Sequence, residues 1–192
     1  MKGVNIFLAD GFEDVEALGT ADVLRRGGID VKLVSITDEP FVTSSHNITV
    51  GADECLCDMD PGIGNIGAGD VMIFPGGMPG TKNLAACRPL IEEMNRHYAE
   101  GGTVAAICAA PGFVLGQLDG ISGVPFTGFD GCETKAVEAG GIFTPKPAVT
   151  SGRIITGRSS GHSLAFGLEI LKKLAGEEKA AEVAYGMFLT CE

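Results

Sequence analysis

AAICAAPGFVLG, residues Ala105 to Gly116, is the stretch that decides the fold. The run TVAAI, Thr103 to Ile107, is too short for a helix and reads as a buried parallel strand. From Gly112 to Leu118 the pattern turns helical. Cys108 stands at the joint. A strand-to-helix elbow pushes its central side chain out of the sheet and requires small neighbours, which Ala106, Ala109 and Ala110 supply. The helix beyond would aim free N–H groups at the sulfur, and such placement can lower a thiol pKa from ~8.5 into the range ~3.5–7.5. A cysteine packed as a small hydrophobe fits the same spacing.

The rest of the chain repeats the strand-then-helix alternation. Val4 to Ala9 is a buried strand, Val15 to Arg26 a helix closed by Gly27-Gly28, and Val31 to Ile36 a second strand. The β-branched section FVTSSHNITVGADECL predicts short strands or a hairpin, and Pro61 to Gly69 a glycine-rich connection. Val71 to Phe74 is a further strand ending in the loop PGGMPG, with a helix expected from Asn83 to Glu100. Gly120 to Thr150 resists assignment. Arg153 to Thr156 reads as a late strand, and Ser163 to Leu174 and Glu177 to Leu189 as the last helices. Alternating strands and helices imply a mostly parallel sheet covered on both faces, built as one domain over residues 1–192. In such a sheet ligands bind beyond the carboxyl ends of the strands, where Asp10-Gly11, Pro75-Gly76-Gly77 and Cys108 all fall.

Composition narrows the function classes. With 25 Asp+Glu against 14 Lys+Arg the net charge is −11, which lacks the basic footprint of a nucleic-acid partner. No apolar run approaches the ~18 residues of a spanning helix, and MKGVNIFLADGFED leaves no room for a signal segment, so a cytoplasmic protein without a membrane partner is expected. Cysteines at 55, 57, 87, 108, 132 and 191 are expected as reduced thiols. On a strand Cys55 and Cys57 would share one face, either as a redox pair or as incidental packing. No ligand cluster points to a metal.

Four ordered motifs, LADGFEDVEA, VMIFPGGMPGTKNL, AAICAAPGFVLG and RIITGRSSGHSLAFGLEILKKLAG, together resemble the ThiJ/PfpI superfamily, in the branch of the parkinsonism-associated deglycase and its bacterial relatives. The resemblance covers most of the chain and is weaker from Gly120 to Thr150. It implies a flavodoxin-like α/β three-layer sandwich and a homodimer. It makes Cys108 the reactive cysteine and Glu16 the acid that hydrogen-bonds its sulfur, although a solvated helix-start carboxylate would account for Glu16 from spacing alone. It makes the backbone N–H groups of Gly77 and Ala109 donors toward the reacting atom.

The chain also departs from the pattern. Ala109 follows Cys108 where protease-like members place His, and the flanking glycines of glutamine amidotransferases are missing, so neither activity is expected. Phe129 stands where the deglycase branch carries a pocket His. His46, His162, Phe129 and Arg26 are candidate pocket-edge groups, although a charge at the helix C-terminus accounts for Arg26 equally well, while His97 is expected on the surface. The implied activity is cofactor-independent conversion of small reactive carbonyls such as methylglyoxal, or repair of early glycation adducts. The alternatives are a redox-responsive, chaperone-like protein sensing oxidation through Cys108 and, below it, a role near thiamine metabolism.

Overall fold

The strands β1 (Val4–Leu8) and β2 (Val31–Ser35), joined by helix α1 (Asp14–Arg26), form a β-α-β start in the computed structural model. It describes residues 1–59 and 65–189, so Cys191 and the first part of the Pro61–Gly69 connection lie outside the described residues. The hairpin β3 (Phe41–Thr43) and β4 (Thr49–Gly51) follows, then the short β5 (Glu54–Cys55). Next come β6 (Val71–Phe74), α2 (Gly80–Ala86), α3 (Arg88–Ala99), β7 (Thr103–Ile107) and α4 (Ala110–Phe113). The section that resisted assignment holds β8 (Pro125–Phe126), α5 (Thr134–Glu138), β9 (Ile142–Phe143) and β10 (Ala148–Ser151). The described elements close with β11 (Ile154–Gly157), α6 (Ser163–Ala175) and α7 (Glu177–Gly186).

The central sheet has the order β10-β11-β7-β6-β1-β2-β5. Its pairings are parallel except at the edge, where β10 runs antiparallel to β11. Alternation along each strand feeds two cores. Ile6, Leu8, Ile73, Ile107 and Ile155 face α1, α6 and α7, packing with Leu24, Phe166 and Val183. Phe7, Met72, Phe74 and Val104 face the other way onto Leu84, Leu90 and Met94 of α2 and α3. Apolar side chains on both faces require helices on both faces. The result is a flavodoxin-like α/β sandwich. Among the described residues no helix is long and apolar enough to cross a membrane.

Four expectations are corrected. The single helix over Asn83–Glu100 is two helices parted at Cys87, because Pro89 lacks an N–H and would strike a preceding carbonyl inside a continuous helix. The helix expected from Gly112 to Leu118 is the four-residue α4 followed by a 3-10 turn, Leu115–Gln117, as glycines at 112 and 116 disfavour a longer one. β5 ends at Cys55 and Cys57 lies in the next 3-10 turn, so the two do not share a strand face. His97 is fully buried rather than on the surface. Its Nε2 lies 3.1 Å from the carbonyls of Asp70 and Thr103, and its Nδ1 faces the Met1 amino group at 3.1 Å. Those partners fit a neutral ring protonated on Nε2, and burial holds its pKa below the ordinary histidine value.

Candidate active site

Three loops at the carboxyl edge of the sheet meet at Cys108. The residue follows β7 directly with φ at 64°, in the left-handed region that side chains seldom adopt. Both of its backbone groups are nevertheless satisfied. Its N–H donates to the Gly157 carbonyl at the end of β11, 3.0 Å away, and its carbonyl accepts from Phe129 N–H at 2.7 Å. The turn therefore leaves the sheet without orphaning a polar group, and the surrounding structure holds a conformation that costs about 1–3 kcal/mol.

Glu16 reaches the same point from the first turn of α1. Glu13 caps that helix, its Oε2 accepting the Glu16 N–H at 2.7 Å. The Glu16 side chain turns inward, is 1% exposed, and accepts the Gly76 N–H on Oε2 at 2.7 Å. The β1 and β6 loops are tied by Glu13 N–H to the Gly76 carbonyl at 2.9 Å and Gly80 N–H to the Gly11 carbonyl at 3.1 Å. Two glycines make this approach feasible. A Cβ on Gly76 would lie 2.6 Å from Glu16 Oε2 and 3.1 Å from Cys108 Sγ. Gly77 has φ at 90°, and a Cβ there would run into the backbone of Gly11, Phe12 and Glu13.

The electrostatics belong to the pair. Burial raises the Glu16 carboxyl to about 7, against the lowering effect of its contacts with the Cys108 thiol and the Gly76 amide. Burial also pushes the Cys108 thiol up, and the Glu16 carboxylate adds to this by its charge and hydrogen bond. The backbone amides of Ala109 and Gly77, both directed at the sulfur, act the other way. This corrects the expectation of a thiol acidified by a helix terminus. α4 is too short to supply much dipole, and the thiolate is favoured only when Glu16 holds the proton. The two titrations are coupled, so their protonation steps belong to the pair rather than to either residue.

The remaining candidates are spread around this centre. Phe129 flanks Cys108 through its backbone and is 49% exposed. His46, on the hairpin turn, pairs its Nδ1 with Asp14 Oδ1 at 2.9 Å, and this bond holds its pKa above the ordinary value. His162 closes a 3-10 turn after β11, with Nδ1 3.3 Å from Ser159 Oγ. Arg26 does not reach the site. It ends α1, about 15 Å along the helix from Glu16 at 1.5 Å per residue, and pairs with Asp22 at 2.8 Å. Its identity and position reflect the negative end of the helix.

Glu13, Asp14 and His46 bring their ligand atoms within 4.8 Å of one another, the spacing a metal ion could use. The N-terminal end of α1 opposes a cation there, and all three already have partners. Sequence reasoning missed Gly157 and the pair Asp130–Arg158. Arg158 Nη2 donates to both Asp130 oxygens at 2.8 Å and so pins the loop that carries Phe129. A carbonyl contributes through its backbone, so no residue type could have signalled Gly157.

The DJ-1/PfpI family profile matches residues 2–173. The chain is 33% identical over 95% of its length to Protein DJ-1 homolog A of Arabidopsis thaliana, and spans only 45% of that protein. It is 32% identical to the Glutathione-independent glyoxalase DJR-1.2 of Caenorhabditis elegans, over 87% of this chain and 85% of the other. The crystal structure of Drosophila melanogaster DJ-1beta superposes with a TM-score of 0.86 at 30% identity, covering 99% of each chain.

Proposed function

The chain belongs to the DJ-1/PfpI family, and from that premise we propose that it is a cysteine-dependent enzyme acting on small 2-oxoaldehydes such as methylglyoxal. The observation that carries this reading is a buried carboxyl, raised to about 7, held by the Gly76 amide beside a cysteine sulfur that two backbone amides face. A glyoxalase among its relatives supports it.

The steps balance with groups of the chain and water alone. Cys108 sulfur adds to the aldehyde carbon, and the oxygen left negative takes a proton from Glu16 while the Gly77 and Ala109 amides stabilise it. The Glu16 carboxylate then removes the C1 hydrogen as a proton. The electron pair moves to the C2 carbonyl oxygen, Glu16 returns its proton to C2, and the proton of the C1 hydroxyl passes to the C2 oxygen. C1 is now a thioester carbonyl. Water attacks it, the C–S bond breaks, and a 2-hydroxy acid leaves. The aldehyde carbon has been oxidised and the ketone carbon reduced, with no net redox change. The same addition would draw an aldehyde from an early glycation adduct.

A second reading follows from the same groups. Oxidation of Cys108 by peroxide to a sulfinate would place two oxygens where the amides and a protonated Glu16 can hold them, giving a redox-responsive protein. The deciding experiment is lactate formation from methylglyoxal by the native chain, Cys108→Ser and Glu16→Gln. Turnover lost in Cys108→Ser supports the enzyme. Absence of turnover in the native chain, with a two-oxygen mass gain at Cys108 under mild peroxide, selects the sensor.

A further inference from the structure

Two large apolar side chains stand exposed on two loops that adjoin Cys108. Gly77 directs its amide at that sulfur, and the next residue, Met78, is 41% exposed. On the second loop Phe129, 49% exposed, binds the Cys108 carbonyl through its N–H at 2.7 Å. Single exposed hydrophobes are ordinary on protein surfaces. Here one lies on each of two loops that adjoin a single half-buried cysteine. The segments 75–80 (PGGMPG) and 127–131 (TGFDG) contain one charged residue, Asp130, and both its oxygens are taken by Arg158 at 2.8 Å. Neither loop offers an uncommitted charge or an imidazole to a substrate.

From this placement we infer that Met78 and Phe129 determine specificity, favouring 2-oxoaldehydes whose second substituent is aryl or bulky alkyl. The inference deepens the proposed reaction and rests on it for the substrate class. In the reaction the aldehyde end is consumed at the sulfur, so the substituent on C2 is left to meet the mouth. A hydrated second aldehyde, as in glyoxal, gains nothing from a methionine and a phenylalanine. A phenyl ring covers apolar surface on both and itself leaves water. Replacing methyl by phenyl is expected to raise kcat/KM about 10- to 100-fold, within what an apolar pocket can discriminate.

The test compares initial rates with glyoxal, methylglyoxal and phenylglyoxal for the native chain, Phe129→Ala and Met78→Ala, each checked for a cooperative melt. In parallel, alkylation of Cys108 by iodoacetamide and by N-benzyliodoacetamide is read by peptide mass, normalised to the same two rates on glutathione. That arm needs no turnover. The expected result is a phenyl and benzyl preference of at least about tenfold that each variant reduces severalfold. Equal rates for small and aromatic reagents overturn the inference, as does a preference that both variants keep. A benzyl preference without turnover of any aldehyde upholds the apolar mouth and removes the reaction. Turnover without any preference does the reverse.

Discussion

Glu16 Oε2 accepts the Gly76 amide at 2.7 Å, so the residue before one sulfur-facing amide also orients the carboxyl that touches the sulfur. In the proposed reaction the nucleophile, the proton carrier and an oxyanion donor are thereby held by one glycine pair. Replacing Glu16 by Gln keeps the shape and removes the titrating proton. Methylglyoxal turnover should fall about 100-fold or more, the usual worth of a positioned acid–base group. In that variant the Cys108 thiol should ionise at lower pH than in the native chain, read as thiolate absorbance at about 240 nm, because no carboxylate then opposes the anion. Turnover at the native rate in Glu16→Gln would leave Glu16 a structural residue.

The same carboxyl makes stability depend on pH in a direction opposite to most acids. Burial raises Glu16 from its usual 4.5 to about 7. A raised carboxyl holds its proton more tightly folded than unfolded. Its contribution is therefore complete below the unfolded value and is lost as pH rises through the folded one. A shift of that size corresponds to ~3 kcal/mol. Urea unfolding of the native chain and Glu16→Gln should show their stability difference shrinking by about that amount from about pH 4 to about pH 8. A difference that stays flat would mean that the carboxyl titrates as if exposed.

Gly76→Ala tests how closely the loops meet. The added methyl would sit 2.6 Å from Glu16 Oε2 and 2.7 Å from Cys108 Cβ, so one of them must move. Destabilisation of about 1–3 kcal/mol is expected, as for other overpacked sites. Activity should fall further than stability does, since the displaced atoms are the ones the proposed reaction uses. The comparison is thermal midpoint against kcat/KM, and a variant as active as the native chain would show that the loops yield freely.

The homodimer expected from the family remains a proposal, and the surface suggests where it would form. Val15 on α1 and Phe41 and Ile48 on the hairpin are exposed apolar side chains. The hairpin is bound to the start of α1 by Ser45 N–H to the Phe12 carbonyl at 2.8 Å. A second copy covering this face would bury all three. Sedimentation should give a dimer, and Phe41→Glu combined with Ile48→Asp should give a folded monomer. A native chain that sediments as a monomer at micromolar concentration would dismiss the proposal.

The alternating fold was legible because buried parallel strands are short continuous apolar runs, and VNIFLA, VMIF and TVAAI have no other reading. Breaks within helices were less so. Pro89 signalled one, but the amphipathic pattern runs on across it and masked the stop. His97 was misplaced because a histidine near a helix end looks solvated until backbone carbonyls close around it. At the candidate site Cys108 and the Gly76-Gly77 loop stand out locally. The contact of Glu16 with Cys108 does not, since it depends on β1 lying beside β6 and β6 beside β7, a tertiary register no local pattern encodes. For Arg26 the resemblance and the helix-end charge were both legible, and its pairing with Asp22 favours the second.

The left-handed backbone at Cys108 sets protein engineering at odds with catalysis. Of the side chains that could replace the cysteine, glycine alone adopts φ near 64° freely, so Cys108→Gly should melt higher than Cys108→Ala. A search for thermostable variants scored only on folding would favour removing the thiol. Relief of this backbone is open only at a residue the proposed chemistry cannot surrender, so stabilisation of this chain has to be sought elsewhere.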